Sequence, residues 1–568
     1  MAVFQGTAPT STVQARGGIR STNMNSTALN QTLGRAQLLQ LSLAQPAAVR
    51  APIFVQGIPR SGAMFAHLLQ LIYGRIHVSE NLIDLGSVLS QQEASVSVWN
   101  AYFDNKQLTD IHVNPVDELT LSGQSAPAVL GPLAEFEYTL TVPAEGPATI
   151  NVFVAWTFGT EVVSLNLAGT RIAFWSFLPT WEGGIRERLE WYTGILTSPL
   201  GIEQRRSLRE SPRRFFELQL IAKPEERSYM ELSCFDWGAR RWAIPIWTDV
   251  QFTTVEIAAG SSFIACATAY RDFRAGGLVA LRGASAFDYE VAEVLRVEAD
   301  GIVLSRPLNS AWRKNSRVYP ARVAQFTEQP VFTRLTVNSA TVRAQFQIVE
   351  PSDWVAEAPA LKYRDKPVYL DPPEESQSLT ASYQRLLEMM DNRRDNPRMG
   401  DSAGVAFTAQ GHRWLVHGRE QQARMRSLWY FLRGRFKSVW IPTHSQDLIV
   451  NGIHAPGSLL LQVRNTGYVK FGKMQPGRKD IMIILRDGRA FFRRIMEAIE
   501  VEGGEALTLD SGLGLSTPLL PEDVERISFM ALCRMDQDFI EVTHETDSDG
   551  LMSANTIWRS LRDDLGDV

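Results

Sequence analysis

Cysteine is scarce in this 568-residue chain: Cys234, Cys266 and Cys533 are odd in number and far apart. They supply no disulfide framework and no paired-cysteine metal knuckle, so free thiols are expected. A charge excess is missing too. The 57 Lys and Arg nearly balance 62 Asp and Glu, and a net charge of −5 gives no global drive toward nucleic acid or anionic membrane. No apolar run reaches the roughly 18 residues of a membrane helix, so a soluble protein without membrane insertion is expected. The eight His never fall at zinc spacing; His412, His417, His444 and His454 read as surface or core residues, not ligands. Asp, Glu and Lys are absent from residues 1–50, where only Arg16, Arg20, Arg35 and Arg50 carry charge. That composition mimics a transit peptide, but Gln40 and Gln45 interrupt its apolar run and the Arg residues are dispersed. A polar arm that orders against a neighbouring subunit is the expectation, with a short helix at Gly62–Tyr73 completing a segment 1–73.

What is present points to β structure. The length suggests about three to five domains, each able to bury a core. Fourteen Trp favour pleated faces, on which broad rings pack. Over 74–180 the runs Ser95–Phe103, Glu135–Val142, Thr149–Phe158 and Arg171–Phe177 are β-branched and aromatic, several alternate with period 2, and turn residues punctuate them. They describe an Ig-like β-sandwich without the Cys…Trp…Cys pattern of antibody domains. The phrasing of Ile83–Ile111 resembles the Ig-like modules of scaffold and tail proteins, which bind by strand edges and loops.

Further on the chain repeats itself. A-R-R-W-A-I-P-I-W-T-D (Ala239–Asp249) returns as R-F-K-S-V-W-I-P-T-H-S-Q-D (Arg435–Asp447), with Pro245 and Pro442 197 residues apart. Arg214–Ile221 has a looser echo at His412–Arg419, Val291–Ser305 at Ile495–Leu509, and Thr333–Ser339 at Phe539–Glu545, where Val337 to Thr543 spans 206 residues. A period near 200 far exceeds the roughly 20–50 residues of solenoid repeats, so two homologous domains are expected. The fold class is therefore mainly β: N-terminal arm, Ig-like β-sandwich, and two homologous β-barrel or sandwich domains in tandem with a helical linker. The copies are placed at 181–350 and 405–556. The linker 351–404 carries a helix at Ser378–Met390, and 557–568 forms a C-terminal tail.

Motifs for chemistry fail on context. G-D-S-A-G (Gly400–Gly404) fits a nucleophile elbow, which requires a buried strand before the Ser and a helix after it. Here a polar stretch precedes it and a strand-like one follows, so a turn opening the second copy is expected. Gly57–Gly62 lacks the Lys of a phosphate loop: Ala63 and Met64 stand in its place. The acids Glu545, Asp547 and Asp549 imitate a calcium loop whose twelfth position would be Thr556, which offers no bidentate carboxylate. No catalytic residue, metal site or cofactor is expected. Arg205, Arg206, Arg209, Arg213 and Arg214 crowd against a single acid, Glu210. Without a basic domain they suit inter-subunit contacts better than specific nucleic-acid binding.

The phrase E-W-Y-T-G-I-L-T-S-P-L-G-I-E-Q-R-R…S-P-R-R-F-F-E-L, with Gly201, Glu203-Gln204-Arg205 and Arg213-Arg214, resembles the distal tail proteins of long-tailed bacteriophages and gene-transfer agents. The aromatic-Pro-Asp phrases ending at Asp249 and Asp447 add to that resemblance. Such proteins usually carry one domain of this kind, and two in tandem is a departure. The resemblance implies a virion structural protein of the tail tip or baseplate, made in the host cytoplasm and not an enzyme. Its partners would be the tail tube, hub, tape-measure and fibre proteins. It would form a homo-oligomeric ring, a trimer with pseudo-six-fold symmetry or a hexamer. A receptor- or glycan-binding adhesin is the alternative, and a serine hydrolase using Ser402 a third.

Overall fold

Alternation of buried and exposed side chains builds the first unit. The computed structural model describes residues 72–563 apart from 89–90, 116–118, 144–145, 377, 474 and 547–549, so the arm at 1–71, and most of the helix expected at Gly62–Tyr73, lie outside the described residues. Strands Ile76–Val78, Gln92–Asn100, Glu135–Val142 and Thr120–Gly123 make one sheet; Leu82–Val88, Glu161–Arg171, Thr149–Phe158 and Asp110–Asn114 make another. Successive side chains of a strand point to opposite faces. Hence Val96 and Val98, Tyr138, Leu140 and Val142, and Ile150, Val152, Val154 and Trp156 all enter one core between the sheets.

The remainder is mainly β as well and uses one strand pattern twice. The first passage runs β1 (Ala173–Phe174), β2 (Ile185–Glu190), β3 (Thr193–Thr197), β4 (Glu203–Ser207), β5 (Arg213–Ala222), α1 (Pro224–Trp237), β6 (Trp242–Pro245), β7 (Phe263–Ala265), β8 (Leu278–Arg282), β9 (Tyr289–Val297), β10 (Gly301–Leu304), β11 (Arg317–Arg334) and β12 (Ala340–Ile348). The second runs β13 (Ala381–Gln384), β14 (Leu387–Met390), β15 (Arg398–Asp401), β16 (Phe407–His417), α2 (Arg419–Leu432), β17 (Val439–Pro442), β18 (Leu460–Val463), β19 (Asp480–Leu485), β20 (Ala490–Val501), β21 (Gly504–Leu509), β22 (Val524–Met535), β23 (Phe539–His544) and β24 (Leu551–Ser560).

Most of the antiparallel pairings within the two passages correspond. β2–β5 answers to β13–β16, β3–β4 to β14–β15, β5–β12 to β16–β24 and β6–β11 to β17–β22. β7–β10 answers to β18–β21, while β8 and β19 each lie between the two strands that follow the same logic. The long β11 is split into β22 and β23 in the second passage, and β24 pairs with both. Even the parallel contact recurs, Phe174 opposite Ala243 and Val368 opposite Trp440.

The strands Glu135–Val142 and Thr149–Phe158 lie where period-2 patterning places them. Several other expectations need correction. Ser378–Met390 is not a helix. Leu379, Tyr383 and Leu387 do fit helical spacing, but the open edge of β16 offers four ladder positions and β13 takes them, Ala381 opposite Gln410 through Gln384 opposite Phe407. The second pattern accordingly opens upstream of residue 405. Among the described residues of the two passages the α-helices are α1 and α2, inside stretches that read as strands. Pro224 opens α1 with Glu225 and Glu226 in its first turn, where acids favour the helix N-terminus. Met425, Leu428, Trp429 and Leu432 form the buried stripe of α2.

Register also separates the two signature tryptophans. Trp242 lies opposite Ala324 and Val439 opposite Cys533, so with the Ile-Pro pairs aligned Trp242 matches Val439, and Trp440 matches Ala243. A one-residue step reverses the face. Trp242 therefore packs with Ile244 and Met230, while Trp440 packs on the other side with Val368, Met482 and Met530. Likewise Thr543 matches Thr333 and not Val337: Phe332 faces Val342 as Val542 faces Ala554, and Val337 lies in the turn after β11.

Candidate assembly interface

The two strand patterns are joined by β2. One edge of β2 pairs with β5; the other pairs with β23 of the second pattern, from Ile185 opposite His544 to Glu190 opposite Phe539. The sequence I-R-E-R-L-E puts Ile185, Glu187 and Leu189 on one face, so Glu187 is carried into the interior with two apolar neighbours. The same parity buries Arg214 with Phe216 on β5 and His544 with Val542 on β23.

A carboxylate with no solvent must be paired, because an isolated buried charge is very costly. Glu187 accepts from Arg214 Nε at 2.5 Å, from Arg426 Nη2 of α2 at 2.6 Å, and shares a 2.8 Å hydrogen bond with His544 Nε2. Arg214 also reaches Asp272 Oδ2 at 2.5 Å, and Asp272 holds Arg322 Nη2 at 2.5 Å. Burial alone would raise the Glu187 carboxyl; Arg214, Arg426 and His544 outweigh it and hold it well below the usual carboxylate range. Asp272 is depressed against its burial by Arg214 and Arg322. A second tie joins Asp249 Oδ1, after β6, to Arg419 Nη1 at the start of α2, 2.6 Å apart.

The hairpin β3–β4 then reaches over the second pattern. Glu203 holds Arg534 of β22 through two 2.7 Å bonds, and the Asp538 carboxylate accepts from the Thr193 amide at 3.0 Å and Arg435 Nη2 at 2.9 Å. Gly201 has φ +81°, and a Cβ there would stand 2.3 Å from the Phe407 ring. Only glycine serves a left-handed position with a ring that close. Trp191, just past β2, meets Tyr430 of α2 edge-on with centroids 5.7 Å apart.

This is binding machinery between repeats, and it rearranges the expected arginine set. Arg214 is interior and spent within the chain, so it cannot contact a neighbour as expected. Arg209 is half-buried and donates to the Glu190 carbonyl at 2.8 Å. Arg205 is half-buried, and Arg206 and Arg213 are exposed. Glu187, Asp272, Arg322, Arg426 and His544 belong to no sequence motif, although Glu187, Arg214 and His544 each place a charged or titratable group in phase with the apolar positions of its strand. Ser402 follows the exposed strand β15, donates its hydroxyl to the Leu386 carbonyl at 3.3 Å, and leads into a turn and then β16.

Thr556, in place of a calcium-loop carboxylate, accepts the Trp414 indole N–H at 2.7 Å within β24; part of that loop, 547–549, lies outside the described residues. Among the described residues no group of three His, Cys, Asp or Glu is arranged to hold a metal ion, and no helix is long and apolar enough to cross a membrane. No protein-family model matches the chain, and no curated protein matches its sequence.

Proposed function

We propose that the chain is a structural component of a bacteriophage tail tip, forming a ring that joins the tail tube to the hub and the adhesion apparatus. The observation that supports this reading best is the head-to-tail seam of β2 on β23: unlike edges of two like strand patterns meet, as heterologous contacts in a ring require. The two-sheet unit at 76–171 serves as an Ig-like accessory module, and the two patterns as tandem distal-tail-like β domains. Three chains would then present six such domains around one axis, matching a six-fold tube, with tape-measure and fibre proteins as further partners. The test is antibody labelling of particles that contain the chain. Label confined to the tail end that meets the host is expected; label on the capsid, or along the whole tail, contradicts the assignment.

A further inference from the structure

The seam within the chain has an unfilled counterpart at each end. β13 stands in its pattern where β2 stands, with Gln384 opposite Phe407 as Glu190 is opposite Arg213. The C-terminal part of β11, residues 329–334, stands where β23 stands, with Arg334 opposite Ala340 as His544 is opposite Met552. β2 and β23 pair with each other. Among the described residues, however, β13 pairs only with β16, and of residues 329–334 Val331–Arg334 pair only with β12, residues 329–330 lying in a bulge.

The helices carry the same asymmetry. α1 and α2 are both 14 residues long, and Met230 and Met425 occupy the same buried place in each. Phe235 then corresponds to Tyr430 and Leu232 to Ser427. Tyr430 is 5% exposed under Trp191, whereas Phe235 is 92% exposed and Leu232 69%. A bare ring at a position that the sister repeat covers marks a missing neighbour.

We propose that a second copy of this chain fills both vacancies: β13 of one subunit adds antiparallel to residues 329–334 of the next, in the register of β2 on β23, and the residues after β13 close over Phe235. Ala381 would face Phe332, Ser382 would face Val331, and Tyr383 would face Pro330. Pro330 removes one donor from that ladder, which leaves it one hydrogen bond short of the seam. The β14–β15 hairpin, exposed along almost its whole length, would reach over the neighbour as β3–β4 does. Its loop residue Asp395 corresponds to Gly201 and exposed Arg213 to Phe407, so an ion pair replaces the ring contact. The buried charges do not recur, because Ala381 takes the place of Glu187 and Thr408 that of Arg214. The contact between chains therefore lacks a buried charge cluster and keeps only an exposed ion pair beside its backbone ladder, which makes it weaker than the seam within the chain. This deepens the ring reading above and rests on it only for closure.

The test uses the full chain carrying Ser382→Cys and Val331→Cys, whose counterparts Arg188 and Glu541 approach to 3.9 Å. Mild oxidation should give disulfide-linked oligomers on non-reducing gels, absent from either single variant. Phe235→Asp should raise the concentration needed for assembly at least ten-fold, read by native mass spectrometry, without moving the unfolding midpoint. Assembly without that disulfide overturns this interface and leaves a ring standing. A chain that is monomeric at every concentration overturns both. A Val331→Cys thiol shielded from alkylation in the monomer overturns the proposal and assigns the edge to residues 1–71 of the same chain.

Discussion

Replacing Glu187 by Gln keeps the side chain's size and withdraws its charge from between Arg214, Arg426 and His544. Glu187 is 0% exposed and Arg214 2%, so water cannot take over the lost pairing. Breaking a buried ion pair from one side costs about 3–5 kcal/mol; Gln retains one acceptor oxygen, which puts the cost near the lower end, about 3 kcal/mol. In a unit of this size that corresponds to a fall of roughly 6–12 °C in melting temperature. The pH dependence has a definite sign. The Glu187 carboxyl is depressed in the folded chain, so its contribution is present above its unfolded value of about 4.3 and is lost as pH falls toward the folded value. Urea unfolding followed by Trp fluorescence should show the wild-type advantage at pH 7 and a shrinking one below about pH 4. A gap under about 1 kcal/mol at pH 7, or one independent of pH, would refute the claim that this carboxylate locks the repeats together.

Three further outcomes are expected. His412 is buried beside His444, and burial pushes it down to about 4 from an ordinary 6.5. The fold holds it neutral, so up to about 3 kcal/mol of stability is lost as pH falls from 6.5 toward 4; a His412→Gln chain should show a flatter unfolding free energy between pH 7 and 5, and an unchanged slope would contradict this. Gly201→Ala should cost about 2–3 kcal/mol in urea unfolding, from left-handed strain plus collision with Phe407, whereas Gly260→Ala, with open space around its Cβ, should show only the strain. Ser402→Ala removes one half-buried hydroxyl bond to Leu386 and should change stability by no more than about 1 kcal/mol and leave any measured esterase activity untouched; loss of such activity would restore the nucleophile reading.

The parts legible in the sequence are those in which local pattern and burial agree. Glu135–Val142 alternates throughout, and Thr149–Phe158 does so up to the buried run Val154–Trp156, because one face is core and the other is mostly not. The repeated strand pattern is legible through Ile244-Pro245 and Ile441-Pro442, yet the conspicuous Trp beside each pair misleads, since the two rings sit one residue out of step and face opposite sides. α2 is legible in Met425, Leu428, Trp429 and Leu432, but strands flank it on both sides and its stretch reads with them. β13 was not readable at all: its four residues are exposed, and only the open edge of β16 makes them a strand. The seam lies between those cases. Strand parity marks Glu187, Arg214 and His544 as interior, while their meeting depends on a register between residues more than 300 positions apart.

Electron microscopy of the assembled full-length protein addresses the repeat-and-seam architecture most directly. Three chains around one axis are predicted, giving six nearly equivalent β domains in which β2-on-β23 seams alternate with β13-on-329–334 contacts. Six chains per ring, or an assembly that leaves β13 in solvent, would contradict it.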